Sequence, residues 1–207
     1  MAATKRLRRE PDGPKGVREG PAQADQATAL VVGYGRFGQT VAQMLLASEI
    51  SVTLIDRDIE MIDIAESFGA KVYFGDGTRL DLLRQAGADE VALILFCMDG
   101  EQMDAAHLEA VHQTFPQASL YVRAFDRRAV IRLKGAPVSH VVREVLESAV
   151  KMARLALEET GVSMDSINRA EDMYRARDRE RLKIQIAAGD IRAAAHRIIT
   201  EPEAPAT

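Results

Sequence analysis

From residue 29 onward the chain alternates short, nearly unbroken apolar runs with stretches whose apolar residues recur at helical spacing. No other feature constrains the fold as much. ALVVG (29–33) reads as a strand buried on both faces, and Arg36–Ser48 as a helix with Phe37, Val41, Met44 and Leu45 along one side. SVTLID (51–56), KVYFG (71–75), VALILFC (91–97) and SLYVRAF (119–125) repeat the strand pattern, and PVSHVV (137–142) is a weaker sixth candidate. The intervening segments read as helices: one holding Ile59, Ile62, Ile64 and Phe68, a short one with Leu80, Leu82 and Leu83 that stops near Gly87, and Glu101–Thr114. Apolar strands separated by helices mark a parallel sheet covered on both faces. Right-handed crossovers then make it doubly wound, an α/β Rossmann-like fold.

The alternation stops after residue 143. Glu144–Thr160 reads as one amphipathic helix, its apolar side formed by Val145, Leu146, Ala149, Met152, Ala153, Leu155 and Ala156, with Gly161 as its stop. Ser163–Ala187 reads as a second helix, heavily charged, and the run Arg175–Lys183 as a solvated face with pairs four residues apart. A short helix over Asp190–Ile199 precedes the Pro-rich end. A long helix with a broad apolar face and no following strand must bury that face elsewhere, and a second copy of the chain is the obvious place. Residues 1–28 carry three prolines, three glycines and almost no large apolar side chains, so they are expected to be disordered. They read as a linker, or as a tether whose Lys5, Arg6, Arg8 and Arg9 lie near an anionic membrane face. The expected organisation is therefore a tail (1–28), a nucleotide-binding domain (29–142), a helical dimerisation and regulatory extension (143–200) and a short tail (201–207).

Gly33-Tyr34-Gly35-Arg36-Phe37-Gly38 is G-x-G-x-x-G, directly after a strand and opening a helix, with Asp56 at the end of the second strand. That context makes the pattern specific for a dinucleotide. Gly33 permits the turn, Gly35 lets a pyrophosphate approach the backbone, and Gly38 lets helix and strand pack closely. Asp56 is placed to accept both ribose hydroxyls and to repel a 2′-phosphate, favouring NAD(H) or AMP, although Arg57 beside it blunts that preference. Asp76, Gly77 and Thr78 follow the third strand on the same rim, where Asp76 and Thr78 either bond the nucleotide or cap the next helix. Met98 and Asp99 follow the fourth strand. Cys97 reads as a small buried apolar residue. Arg123, inside an apolar strand, needs an anionic partner: a phosphate, a ligand carboxylate or a structural Glu.

Charge and composition exclude several classes. The 207 residues carry 27 basic and 31 acidic side chains, a net charge of −4, which argues against nucleic acid as the main partner. One cysteine cannot form an internal disulfide, so the chain reads as cytosolic. The longest apolar run, Val91–Met98, is far short of the roughly 20 residues a membrane span needs. His107, His112, His140 and His196 share no metal-ligand spacing, and no Ser/His/Asp or Cys/His constellation appears. A dinucleotide fold with no catalytic domain points to sensing rather than hydride transfer. The alternatives are a small NAD-dependent oxidoreductase and a scaffold whose nucleotide only stabilises the fold.

The phrases GYGRFGQ and GDGTRLDLL, with the later REVLESAVKMARLALEETGV, resemble the KTN/RCK (TrkA-N) nucleotide-binding domains that regulate potassium transport. The resemblance is strongest to the C-terminal domains of Kef-type glutathione-gated potassium-efflux systems and covers roughly residues 29–185. It implies a cytosolic homodimer with NAD(H) or AMP in each crevice, glutathione or its adducts near the dimer interface, and control of a membrane-embedded potassium/proton antiporter at the inner face of the plasma membrane. It implies nucleotide positions at Gly33, Gly35, Gly38, Asp56, Asp76 and Thr78, and glutathione-pocket positions at Arg36 and Arg123. Two positions depart from the family. Asp178 stands where a glutathione-contacting Asn is expected, setting a negative charge beside an anionic tripeptide, and Asp104 stands where Asn is common. With no antiporter segment in the sequence, the chain is expected to be a soluble fragment or a subunit acting in trans.

Overall fold

The apolar runs assemble around the first of them. The computed structural model describes residues 28–59, 61, 70–98 and 103–194. In it β1 (Ala29–Val32), β2 (Val52–Asp56), β3 (Lys71–Phe74), β4 (Leu93–Phe96), β5 (Ser119–Ala124) and β6 (His140–Arg143) form one sheet in the order β3-β2-β1-β4-β5-β6. Every neighbouring pair is parallel. Chain order reverses between β1 and β4, and a doubly wound sheet opens its ligand crevice at such a switch point.

Side-chain alternation along β1 divides the interior in two. Leu30 and Val32 point to one face, where they join Ile55, Leu83, Ile94, Phe96, Leu108 and Phe115. Ala29 and Val31 point to the other, beside Leu54, Val72 and Ala42. Six described helices accompany the sheet: α1 (Arg36–Ala47), α2 (Leu80–Gln85), α3 (Ala105–Thr114), α4 (Arg127–Arg132), α5 (Glu144–Glu159) and α6 (Met164–Ala188). Asp104, Asp126 and Ser163 cap α3, α4 and α6, each side chain accepting a backbone N–H from the first turn. The departure at Asp104 therefore has a local role, since an aspartate caps as well as an asparagine. α5 and α6 pack together through Arg175, which bonds Glu147 and Glu171, and Arg154, which bonds Glu171.

Three readings of the sequence need correction, and one helix had no reading. Met44 is 68 % exposed, so the buried side of α1 runs through Phe37, Val41, Leu45 and Leu46 instead. The sixth strand lies at His140–Arg143, shifted from 137–142, because its register with Tyr121–Ala124 places His140 against the Tyr121 ring. α4 had no sequence signal: RRAVIR buries no residue and shows no apolar period. Residues 191–194 are turns after Gly189, which ends α6 in the left-handed conformation, not the start of a helix. The expected tails, most of the 59–68 helix and residues 195–200 lie outside the described residues.

Candidate functional site

Because all six strands are parallel, the loops after β1, β2, β3 and β4 meet over the switch point. They enclose a crevice of about 210 Å³ whose walls include seven of the expected residues: Gly33, Gly35, Asp56, Arg57, Gly77, Met98 and Arg123. Val32, Ile55, Gly75 and Cys97 complete the lining. Gly75, the first residue of the GDGTRLDLL phrase, has a φ of 149° that favours glycine and lets β3 turn into the rim.

The three motif glycines do different work. Gly33 has φ 93°, and a Cβ there would meet the Met98 amide nitrogen at 2.7 Å. At Gly38 a Cβ would lie 1.8 Å from the Gly33 carbonyl oxygen, so this glycine seats α1 against the turn. A Cβ at Gly35 would meet nothing within 4 Å. The fold has no need of a glycine at Gly35; what its absent side chain leaves clear is the crevice in front of the first amides of α1. Those amides have no intrahelical partners, and the helix dipole makes them a seat for phosphate.

Asp56 is fixed by the backbone around it. The Tyr34 N–H donates to Oδ2, and the Asp58 N–H donates to Oδ1 at 2.7 Å. Each carboxylate oxygen can accept a second bond, so a ribose diol is still accommodated. Arg57 reaches across the rim to Asp76, whose Oδ1 also accepts from the Thr78 N–H at 3.0 Å and the Thr78 hydroxyl at 2.7 Å. Asp76 therefore braces the turn before α2 and does not cap that helix. Arg57 and Thr78 hold its carboxyl well below the usual carboxylate range, at about 2.

Other expected residues fall elsewhere. The Tyr34 side chain is 1 % exposed and sits in the core on the α1 side of the sheet, so only its backbone reaches Asp56. Burial pushes its hydroxyl above the ordinary value. Arg36 is exposed at the start of α1 and does not line the crevice. Phe37 packs on the core, with the Arg123 guanidinium 5.0 Å from its ring centre. Cys97 is buried and its thiol is pushed up to about 12 by desolvation, the chemistry of an inert packing residue. Asp99 lies outside the described residues.

Arg123 has its anion. Its Nε donates to Glu144 Oε2 at 2.7 Å, Nη2 donates to the same oxygen, and Nη1 donates to the Cys97 carbonyl at 3.1 Å. Glu144 is thus one anion facing Arg123, the structural option among those the sequence left open.

The charged helix is not solvated throughout. The Asp178 side chain is 1 % exposed, gripped by Arg127 and Arg143, with Arg181 at 3.8 Å. Arg127 also donates to Gln185 at 2.8 Å, and Arg181 Nε is buried without a hydrogen-bond partner. One buried carboxylate thus ties α6 to α4 and to the end of β6. Nothing in the spacing of Arg127, Arg143 and Asp178 marks them as partners. Among the described residues no cluster of His, Cys, Asp and Glu is arranged to hold a metal ion, and no helix is long and apolar enough to cross a membrane.

The profile of the TrkA-N domain matches residues 29–144, more than half of the chain. The glutathione-regulated potassium-efflux system protein KefC of Cronobacter sakazakii is 34 % identical over 196 residues, covering 92 % of this chain and 32 % of its own length. The corresponding protein of Haemophilus influenzae is 36 % identical over 160 residues, 77 % of this chain and 26 % of its own. The chain thus spans a third or less of these relatives. The solved Kef C-terminal domain of Shewanella denitrificans, in its AMP-bound form, superposes with a TM-score of 0.67 at 31 % identity, covering 77 % of this chain and 98 % of that one. With sheet order, glycine turn and sequence in agreement, the chain belongs to the TrkA-N domain family and is similar within it to the Kef C-terminal domains.

Proposed function

We propose that this chain is a cytosolic, ligand-sensing regulatory domain of a potassium-efflux system, with an adenine nucleotide, NAD(H) or AMP, in the crevice at the β1/β4 switch point. The observation that carries the reading is the open space at Gly35. A glycine the fold does not require stands where a phosphate must approach the bare amides of α1, one strand from a carboxylate placed for ribose. The Gly33–Gly35 turn would hold the phosphate, Asp56 the ribose, and Gly77 and Met98 the walls around the base. In this reading the bound nucleotide serves as signal or support rather than substrate.

Residues 29–142 form the nucleotide-binding part in this reading, and 143–200 the regulatory extension through which two copies associate. Val145, Met152 and Leu155 are exposed along α5, a helix that buries no residue in the single chain. Its target is a membrane-embedded potassium/proton antiporter, in cis or in trans, which places the domain at the inner face of the plasma membrane. A ligand shifts the arrangement of the pair only by its difference in affinity between two states. Glutathione or an adduct is the second ligand of this reading. Its supporting observation is the excess of positive charge where Arg127, Arg143 and Arg181 surround the single carboxylate of Asp178.

The test is thermal. AMP or NAD should raise the melting temperature of the wild type, whereas Gly35→Val should melt within a few degrees of it and gain nothing from either compound. Equal protection of wild type and variant removes the nucleotide from this crevice.

A further inference from the structure

β2 and β3 end side by side, with Asp56 opposite Phe74 and the Gly75 N–H donating to the Asp56 carbonyl at 2.8 Å. One residue further on, the pairing passes from backbone to side chains: Arg57 leaves β2 and forms an ion pair with Asp76 across the rim. Asp56 and Arg57 both line the crevice, so groups of opposite charge stand next to each other at the end assigned to the ribose. Each asks for a different nucleotide. A carboxylate here takes the ribose 2′-hydroxyl, whereas an arginine nearby accommodates a 2′-phosphate. The sequence leaves the two in balance.

Asp76 breaks the tie. Its carboxylate is held in place independently of Arg57, because the Thr78 N–H and the Thr78 hydroxyl both donate to Oδ1, at 3.0 and 2.7 Å. The loop that carries it is seated on the crevice floor, where a Cβ at Gly77 would lie 2.1 Å from Val32 Cγ1. Asp76 is therefore an anchored anion, and Arg57 is the long, half-exposed arm that comes to it. With its charge engaged there, the guanidinium no longer offsets Asp56. Among these three residues two carboxylates face one cation, which leaves the ribose end of the crevice net negative.

We propose that Asp76 is a specificity residue of the crevice: by holding Arg57 it withholds the guanidinium from the 2′-position of the ribose. The site then takes adenine nucleotides with a free 2′-hydroxyl and rejects those phosphorylated there. The discrimination is a repulsive one, a 2′-phosphate meeting Asp56 while the neighbouring cation is engaged elsewhere. This inference rests on the nucleotide reading above and adds to it a choice among nucleotides.

Calorimetric titration of AMP and of adenosine 2′,5′-bisphosphate into wild type, Asp76→Asn, Arg57→Gln and the double variant tests it. The wild type should prefer AMP by about tenfold or more, since like charges brought together weaken binding strongly. Asp76→Asn keeps an oxygen for the Thr78 N–H and should narrow that preference by about fivefold or more, the lower end of ordinary coupling between sites. In the Arg57→Gln background the same substitution should narrow it much less, because no guanidinium is there to be released. Asp76→Ser repeats the removal if Asp76→Asn does not fold. A wild type that binds both compounds equally overturns the inference and leaves the nucleotide site standing. So does an Asp76 effect of the same size with and without Arg57, which would be the loss of one charge rather than the release of an arginine. If the wild type binds neither compound, both readings are overturned.

Discussion

A backbone carbonyl 1.8 Å from where a Cβ would sit leaves Gly38 no room to change. Gly38→Ala must part α1 from the β1 turn, and it should cost about 3 kcal/mol or more in urea unfolding, the upper range for overpacking. The contrast with Gly35 separates glycines the fold needs from the one a ligand needs. Asp76 makes a second claim at this scale. Its carboxyl is held at about 2 in the folded chain, below the ordinary value of about 3.9. The folded state therefore binds this proton less readily than the unfolded state. The stabilisation is complete above about pH 4 and drains away as pH falls toward about 2. Asp76→Asn keeps the shape of the turn but loses the charge, so unfolding curves of wild type and variant should differ near neutrality and converge through that acid window. A constant gap down to the lowest pH would show that the Arg57 contact contributes nothing in solution.

Among the elements, α6 is the one whose role depends on a buried ion. Asp178 is its anchor, and removing it leaves Arg127, Arg143 and Arg181 facing one another with no carboxylate between them. Asp178→Ala should destabilise the fold by about 3–5 kcal/mol, the usual cost of stranding buried charge, measurable as a lower denaturation midpoint. The sequence could not show this bond. Periodicity reports which side of a helix is apolar, and an acidic residue in a charged run looks solvated until tertiary packing brings distant arginines to it. The same limit hid α4, too short and too charged to have a period, and misjudged Met44, which falls at a helical spacing but faces outward. By contrast β1 and β2 were legible because both of their faces are buried, which leaves a nearly unbroken apolar run as the trace, and β3, β4 and β5 because their short apolar runs recur between helices even where one face is only half-buried. The glycine turn was legible because close backbone approach requires two of its glycines, Gly33 against Met98 and Gly38 against the Gly33 carbonyl, while the proposed phosphate accounts for the third. The identity of Arg123's partner was not, since an arginine in a strand announces only that it needs an anion.

At the scale of the whole molecule, the sheet is complete while its C-terminal helices are not. Leu146, Val150, Leu157 and Ile167 line an apolar groove of about 330 Å³ between α5 and α6, and Val145, Met152 and Leu155 stand exposed beside it. Two copies sharing this face would bury what one leaves open. On the proposed pairing the wild type is a dimer in light scattering at tens of micromolar and Leu155→Glu a monomer with the crevice still competent for nucleotide; a monomeric wild type would contradict the pairing, and an unchanged dimer mass in the variant would move the contact to another face. In the proposed function, an assembly of this kind is what lets a nucleotide bound in one sheet act on the neighbouring copy.

The central claim, that the switch-point crevice is an adenine-nucleotide site in each subunit of a pair, has a direct measurement in native mass spectrometry of the purified chain with AMP and NAD. The account predicts a dimer mass carrying one nucleotide per subunit. Bare protein masses at saturating concentrations of both compounds would contradict it.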